Sequence, residues 1–246
     1  MTHKLAFSLA MALAAAALPA AVQAQTPATA TAQSEDARLT AFLDGEFAAY
    51  VKTQPQLATR LGIKEGGDRW NDNSDAGARA EVEWRKASVA RMKAQFDRAK
   101  LSPEAQVNYD IWALEADRAE QSFANRIYRP PFYSRLYSAH SQLPDFLINT
   151  HSVSDVTDLK NYIARLRGMP AVLDVAIARA RASDAAGIRA PRFQIETVIS
   201  GSEKLISGAP FGPGPDAALW ADVKAKTAAL VASGKLKQAQ ADAMLA

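Results

Sequence analysis

Apolar residues recur along most of this chain at intervals of three and four, the period that gathers one face of an α-helix. Leu39, Phe42, Leu43, Phe47 and Tyr50 make the first stripe, behind an N-cap at Ser34 and acids at Glu35 and Asp36. Pro55 opens a short helix bearing Leu57 and Leu61, which Gly62 ends. Residues 66–74 read as a polar loop, and a long helix follows from Asp75 to about Lys100, with Val82, Val89, Met92 and Phe96 on its buried edge. Ser102, Pro103 and Glu104 restart the chain as N-cap, first-turn proline and first-turn acid. The next helix runs to Asn125 and carries Tyr109, Trp112, Ala116, Ala119 and Phe123 on one face.

The pattern then breaks. Residues 125–151 hold Pro130, Pro131 and Pro144 among Phe132, Tyr133 and Tyr137. The tandem prolines forbid a helix there. Such a connection lines a cleft or folds back onto the core, and the sequence leaves both open. Helical spacing resumes from Asp155 to Ala186 through Leu159, Tyr162, Ile163 and Leu166, with a kink expected at Gly168-Met169-Pro170 and an end at Gly187. Another helix is expected from Pro191 to Ile206, then a rigid loop at Pro210 to Pro215. Asp216 is read as the cap of a helix with Leu219, Trp220, Val223 and Leu230, closed by Gly234. Lys235 to Ala246 begins one more. No stretch alternates as a strand does, so the expected fold is all-α: long antiparallel helices with Pro- and Gly-rich connections.

Composition adds limits. The chain has 246 residues, 48% of them hydrophobic and 22% charged. That suffices for a core without disulfide or metal staples and excludes bulk disorder. The formal net charge is only +3, and acids interleave with bases, as in Glu81-Val82-Glu83-Trp84-Arg85-Lys86. No basic stripe for nucleic acid is present.

The first residues are of another kind. His3 and Lys4 precede a run from Leu5 to Leu18 that is apolar apart from Ser8; Pro19 breaks it, and Val22-Gln23-Ala24 offers small residues for a peptidase. This is the layout of a secretory signal peptide, too short to span a bilayer well. Expected domains are a signal peptide over 1–24, a flexible leader over 25–34 and a helical domain over 35–246. The protein is then periplasmic or secreted, with no membrane span after cleavage. The absence of cysteine excludes a lipoprotein anchor and disulfides.

Candidate chemistry is sparse. Asp68, Asp72 and Asp75 lack the glycine and closing glutamate of a calcium loop and read as a polar turn. Glu115, Asp117 and Glu120 crowd one helix beside Arg118 and read as a solvated face. His140 and His151, eleven residues apart, have no metal spacing and read as structural or surface residues. There is no His-Glu-x-x-His, no Gly-x-Ser-x-Gly, and no phosphate or dinucleotide loop.

Four stretches taken in order resemble a family. They are Asn108-Tyr109-Asp110 with Glu115 on the same helix; Leu143-Pro144-Asp145-Phe146-Leu147; Tyr162-Ile163-Ala164-Arg165-Leu166 leading to Met169-Pro170; and Gly187-Ile188-Arg189-Ala190-Pro191-Arg192-Phe193. Together they resemble the N-terminal half of the bacterial family called domain of unknown function 885, from about Ala37 to the end of the chain. The resemblance implies a largely helical, exported protein similar to thermolysin-clan zinc metallopeptidases with carboxypeptidase-like relatives. It implies a zinc stretch, His-Glu followed by Gly-His-His, in a C-terminal half that nothing here matches. No catalytic residue, metal ligand or cofactor is therefore expected in this chain, which is expected to be inactive alone. Asn108, Tyr109, Arg192 and Phe193 are the residues expected to face a peptide substrate. The alternative is a stand-alone helical periplasmic binding or interaction protein. A fragment should expose a large apolar surface; a self-sufficient protein should not.

Overall fold

The structure is a computed structural model that describes residues 34–134 and 136–246. The expected signal peptide and all of the leader but Ser34 lie outside the described residues. Among those described there are nine α-helices and no strand, as the periodicity predicts.

α1 (Glu35–Thr53), α2 (Pro55–Arg60), α3 (Asp75–Gln95) and α4 (Pro103–Ala124) come first. Ser34, Ser74 and Ser102 cap α1, α3 and α4 with their hydroxyls, each satisfying one of the free N–H groups at a helix start. α3 stops five residues short of the expected end. Phe96 turns to an extended conformation and drops into the core, 4% exposed. Leu39, Met92, Phe96, Leu101 and Tyr109 form that first core, among α1, α3 and α4. Trp112 closes it by donating from Nε1 to Ser88 Oγ at 2.9 Å.

A second core gathers α6 (Val156–Ala185), α8 (Ala218–Ala232) and α9 (Gln238–Leu245) around Leu147, Leu159, Tyr162, Val223 and Leu230. α6 runs as one helix with Pro170 inside it. α8 starts one residue later than expected: Ala217 is its N-cap, and no side chain caps it. Asp216 instead pairs with Lys224, and its backbone lies in an isolated bridge with Ala209. That bridge closes the 209–216 loop, with Ala217 N–H bonding Ala209 O at 2.8 Å. Gly208 feeds the loop at φ +82°, where a Cβ would lie 1.9 Å from the Pro215 carbonyl; only glycine fits.

The proline-rich connection holds more structure than expected. After an irregular stretch come α5 (Ala139–Asp145), with Pro144 inside it, and a π-helical turn over Phe146–Thr150. Lys226 of α8 donates to the carbonyls of Leu147 at 2.8 Å and Ile148 at 3.2 Å. It also pairs with Asp222 at 2.7 Å, which accepts from the Tyr162 hydroxyl at 2.8 Å. These bonds hold the backbone that the proline and the π turn disturb.

α6 is also tied to α2 by one side chain. Arg165 is fully buried, and its Nε donates to the Arg69 carbonyl at 2.9 Å. Its Nη2 reaches Thr59 Oγ1 at 2.9 Å and the Pro55 carbonyl at 3.2 Å. Nη1 meets His151 Nδ1 at 3.0 Å. The guanidinium lies 5.0 Å from the Phe146 ring centroid and 5.7 Å from that of Trp70. His140 and His151 are both buried, and His151 serves this brace.

Candidate functional site

Two cavities adjoin α5 and α7 (Arg192–Leu205). α7 has one apolar edge, Ile195, Val198, Ile199 and Leu205, but only Val198 is buried. That edge faces open space rather than a packed neighbour. Across from it stand Ile163, Leu166 and Met169 of α6 and Trp220 of α8. They enclose an apolar cleft of about 800 Å³, the size and character of a small-ligand pocket. Exposed Ile206 and Phe211 extend its rim.

The second cavity, about 910 Å³, lies between α5, α7 and the end of α2. Its wall is polar: Arg60, Tyr137, Gln142, Asp145, Glu196 and Lys204. Of the two acids, Asp145 accepts from Asn149 Nδ2 at 2.7 Å, and Glu196 pairs with Arg192 at 2.7 Å. Arg60 and Lys204 hold no carboxylate among the described residues.

His140 and Leu205 line both cavities. His140 is 8% exposed, and its Nδ1 is buried without a hydrogen-bond partner. Its Nε2 faces α7 at Gly201, where a Cβ would lie only 3.1 Å away. The missing Cβ is what lets the imidazole approach α7. Burial lowers the His140 pKa, so the ring is neutral at neutral pH. Phe132 stacks obliquely on it, centroids 6.4 Å apart. The aromatic, proline-rich connection thus lines the cleft, one of the two outcomes its sequence allowed.

The four residues expected to face substrate do not converge. Tyr109 is buried in the first core. The helical period that puts it on the face of Ala105 and Ala116 turns its neighbour Asn108 out to solvent. Neither lines a described cavity. Phe193 lines the polar groove and is 66% exposed. Arg192 lies beside it, paired with Glu196. His140, Arg60, Gly201 and Trp220 were missed. The aromatic, proline-rich connection, the stretch Leu143-Pro144-Asp145 just after His140, and Phe193 were the sequence signals that pointed to this region.

Other candidates resolve as structure. Asp72 Oδ1 accepts from Ser74 N–H at 2.9 Å, and Asp75 pairs with Arg126 at 2.9 Å, a polar turn as read from sequence. Glu115 pairs with Arg118 and Glu120 with Lys86. The described residues do not fit a hydrolytic zinc. Among the described residues, no three of His, Asp and Glu converge. His151 has both nitrogens engaged, Nε2 against the Asp158 carbonyl at 3.3 Å. No described helix is long and apolar enough to cross a membrane.

The fold and site define an all-helical protein with an apolar cleft opening beside a polar groove. Residues 55–246, from the start of α2 onward, match the family model described as bacterial protein of unknown function, DUF885. The chain belongs to that family. No curated protein and no solved structure matches it.

Proposed function

We propose that this chain is the helical, substrate-holding portion of an exported hydrolase of the metallopeptidase kind. Its zinc-binding residues are then supplied by another part of the protein, and export follows signal cleavage near Ala24. The observation that carries the reading is the apolar cleft between α6, α7 and α8, adjoining at His140 a groove with polar walls. A peptide needs both characters, apolar pockets for side chains and polar partners for its backbone and ends. Phe193 stands at the groove as one contact for such a substrate. The exposed apolar edge of α7 matches the surface expected where a second portion docks.

A second reading has its own support. The cleft is lined by helices of this chain together with Phe132, Pro210 and Phe211 of its connections, as a stand-alone periplasmic binding protein would have it. One assay separates the two from a complete peptidase. The purified chain is mixed with quenched peptide substrates, with and without added zinc, and with a chelation control. A zinc hydrolase needs three protein ligands and an open position for water, so no turnover above the chelated control is expected. Zinc-dependent, chelator-sensitive turnover by the pure chain would overturn the proposal.

A further inference from the structure

The two cavities share His140 and Leu205, so a ligand in one abuts the other. Their characters are opposite. The cleft is walled mainly by apolar side chains such as Ile163, Val198 and Trp220, with one cation, Arg167, and one acid, Glu203, in its lining. The groove offers Arg60 and Lys204, neither holding a carboxylate among the described residues, while both of its acids are engaged. Arg60 is held in place over the Phe146 ring, its guanidinium carbon 5.7 Å from the centroid. Between the chambers sits a histidine more than nine-tenths buried whose Nδ1 has no partner and whose Nε2 faces the groove wall at Gly201.

We propose that the two chambers form one site for an amphipathic carboxylate, its apolar body in the cleft and its carboxylate toward Arg60 and Lys204, with His140 Nε2–H donating to it. This rests on the reading that the cleft takes the apolar part of the substrate. Charge complementarity selects the ligand. A carboxylate supplies the anion that Arg60 and Lys204 lack, and charge-assisted hydrogen bonds from guanidinium and ammonium are among the strong ones. An apolar tail alone would leave the groove unused, and a dication would meet two positive side chains. The Nε2–H tautomer is the one the carboxylate requires, and nothing bonds Nδ1 to oppose it. Two sources carry this chemistry: a free fatty acid, and a peptide ending in a large apolar residue.

Calorimetric titration of the full chain tests this with four probes: decanoate, decanamide, N-acetyl-leucyl-phenylalanine and its C-terminal amide. Each acid is expected to bind at least about tenfold more tightly than its amide, a step of about 1.4 kcal/mol. In the Arg60→Gln/Lys204→Gln double variant, which changes only exposed side chains, that preference should fall below about threefold while the amides bind as before. His140→Phe, which keeps a ring at the partition, should weaken the acids severalfold and the amides less, since an amide oxygen accepts the same hydrogen bond without the charge. Tighter binding of decanoate assigns the site to a fatty acid, and tighter binding of the dipeptide assigns it to a peptide end; both support the shared chemistry. Amides that bind as well as acids, or a preference that survives the double variant, overturn the carboxylate and leave the apolar cleft standing. Binding by none of the four overturns both.

Discussion

Replacing Arg165 with methionine is expected to destabilise the fold by about 3–5 kcal/mol, the cost of breaking a buried charged network by removing one partner. The size follows from what is left behind. The guanidinium is completely buried and donates to Arg69 O, Pro55 O and Thr59 Oγ1, with His151 Nδ1 against Nη1. Methionine fills much of the volume but removes all of these donors; Pro55 O keeps the Thr59 hydroxyl at 3.0 Å, while Arg69 O and His151 Nδ1 lose the guanidinium. Arg69 O is a backbone carbonyl, which no compensating substitution can remove, and each unsatisfied buried group costs about 1–3 kcal/mol. Burial lowers the Arg165 pKa to about 10, yet the side chain stays charged at neutral pH. No carboxylate lies within ion-pair distance among the described residues; the charge rests on carbonyl dipoles and the faces of Phe146 and Trp70. Arg165→Lys should recover only part of the loss, because an ammonium cannot span α2, the following loop and His151 together. Urea unfolding measures both. A loss below about 1 kcal/mol for Arg165→Met would mean that α2 and α6 are held by other contacts.

The second large effect is a loss of stability in mild acid, carried by His151. Its ring is 4% exposed, and burial, reinforced by the Arg165 charge, pushes its pKa down to about 4. In the unfolded chain the same group titrates near 6.5. Between these values the unfolded chain binds a proton that the folded one refuses. Stability therefore falls as pH drops from about 6.5 to about 4 and levels off below, by about 3 kcal/mol in full. His140, lowered by burial, adds in the same direction. Asp158, Asp155, Asp72 and Asp36 have lowered pKa values, so their contribution disappears mainly below that window. Urea unfolding at pH 7.0 and 4.5 should show a drop of about 2 kcal/mol in the native chain that His151→Asn largely removes. Equal drops in both would show that His151 does not carry the effect.

Local chemistry made much of this fold legible. Ser34 and Ser102 announce α1 and α4 because an N-cap acts within three residues. Packing settles what local chemistry leaves open. α6, expected over Asp155 to Ala186, forms as one helix with Pro170 inside it and Leu159, Tyr162 and Arg165 buried. α5 forms around Pro144 because Leu143, Phe146 and Leu147 are all buried there, and Lys226 bonds the disturbed backbone from α8. Asp216 is drawn from capping into a loop bridge and an ion pair. Lys226 lies 79 residues from Leu147 in sequence.

The candidate site was less legible for the same reason. The stretches that carry the family resemblance are largely packing residues: Tyr109, Leu143, Phe146, Tyr162 and Arg165 are all buried. Of the residues they nominated, Phe193 alone lines a described cavity. His140 looks like any isolated histidine until Gly201, far along the chain, is seen against it.

The cleft itself is the central claim, and Trp220 in its wall reports on it. The chain is titrated with a capped apolar peptide, N-acetyl-leucyl-phenylalanyl-leucinamide, while tryptophan emission is recorded for the native chain and for Trp220→Phe. The account predicts a saturable blue shift in the native chain, abolished in the variant while calorimetry still detects binding. No saturable shift up to millimolar peptide, or a shift that persists without Trp220, would place recognition elsewhere and contradict the account.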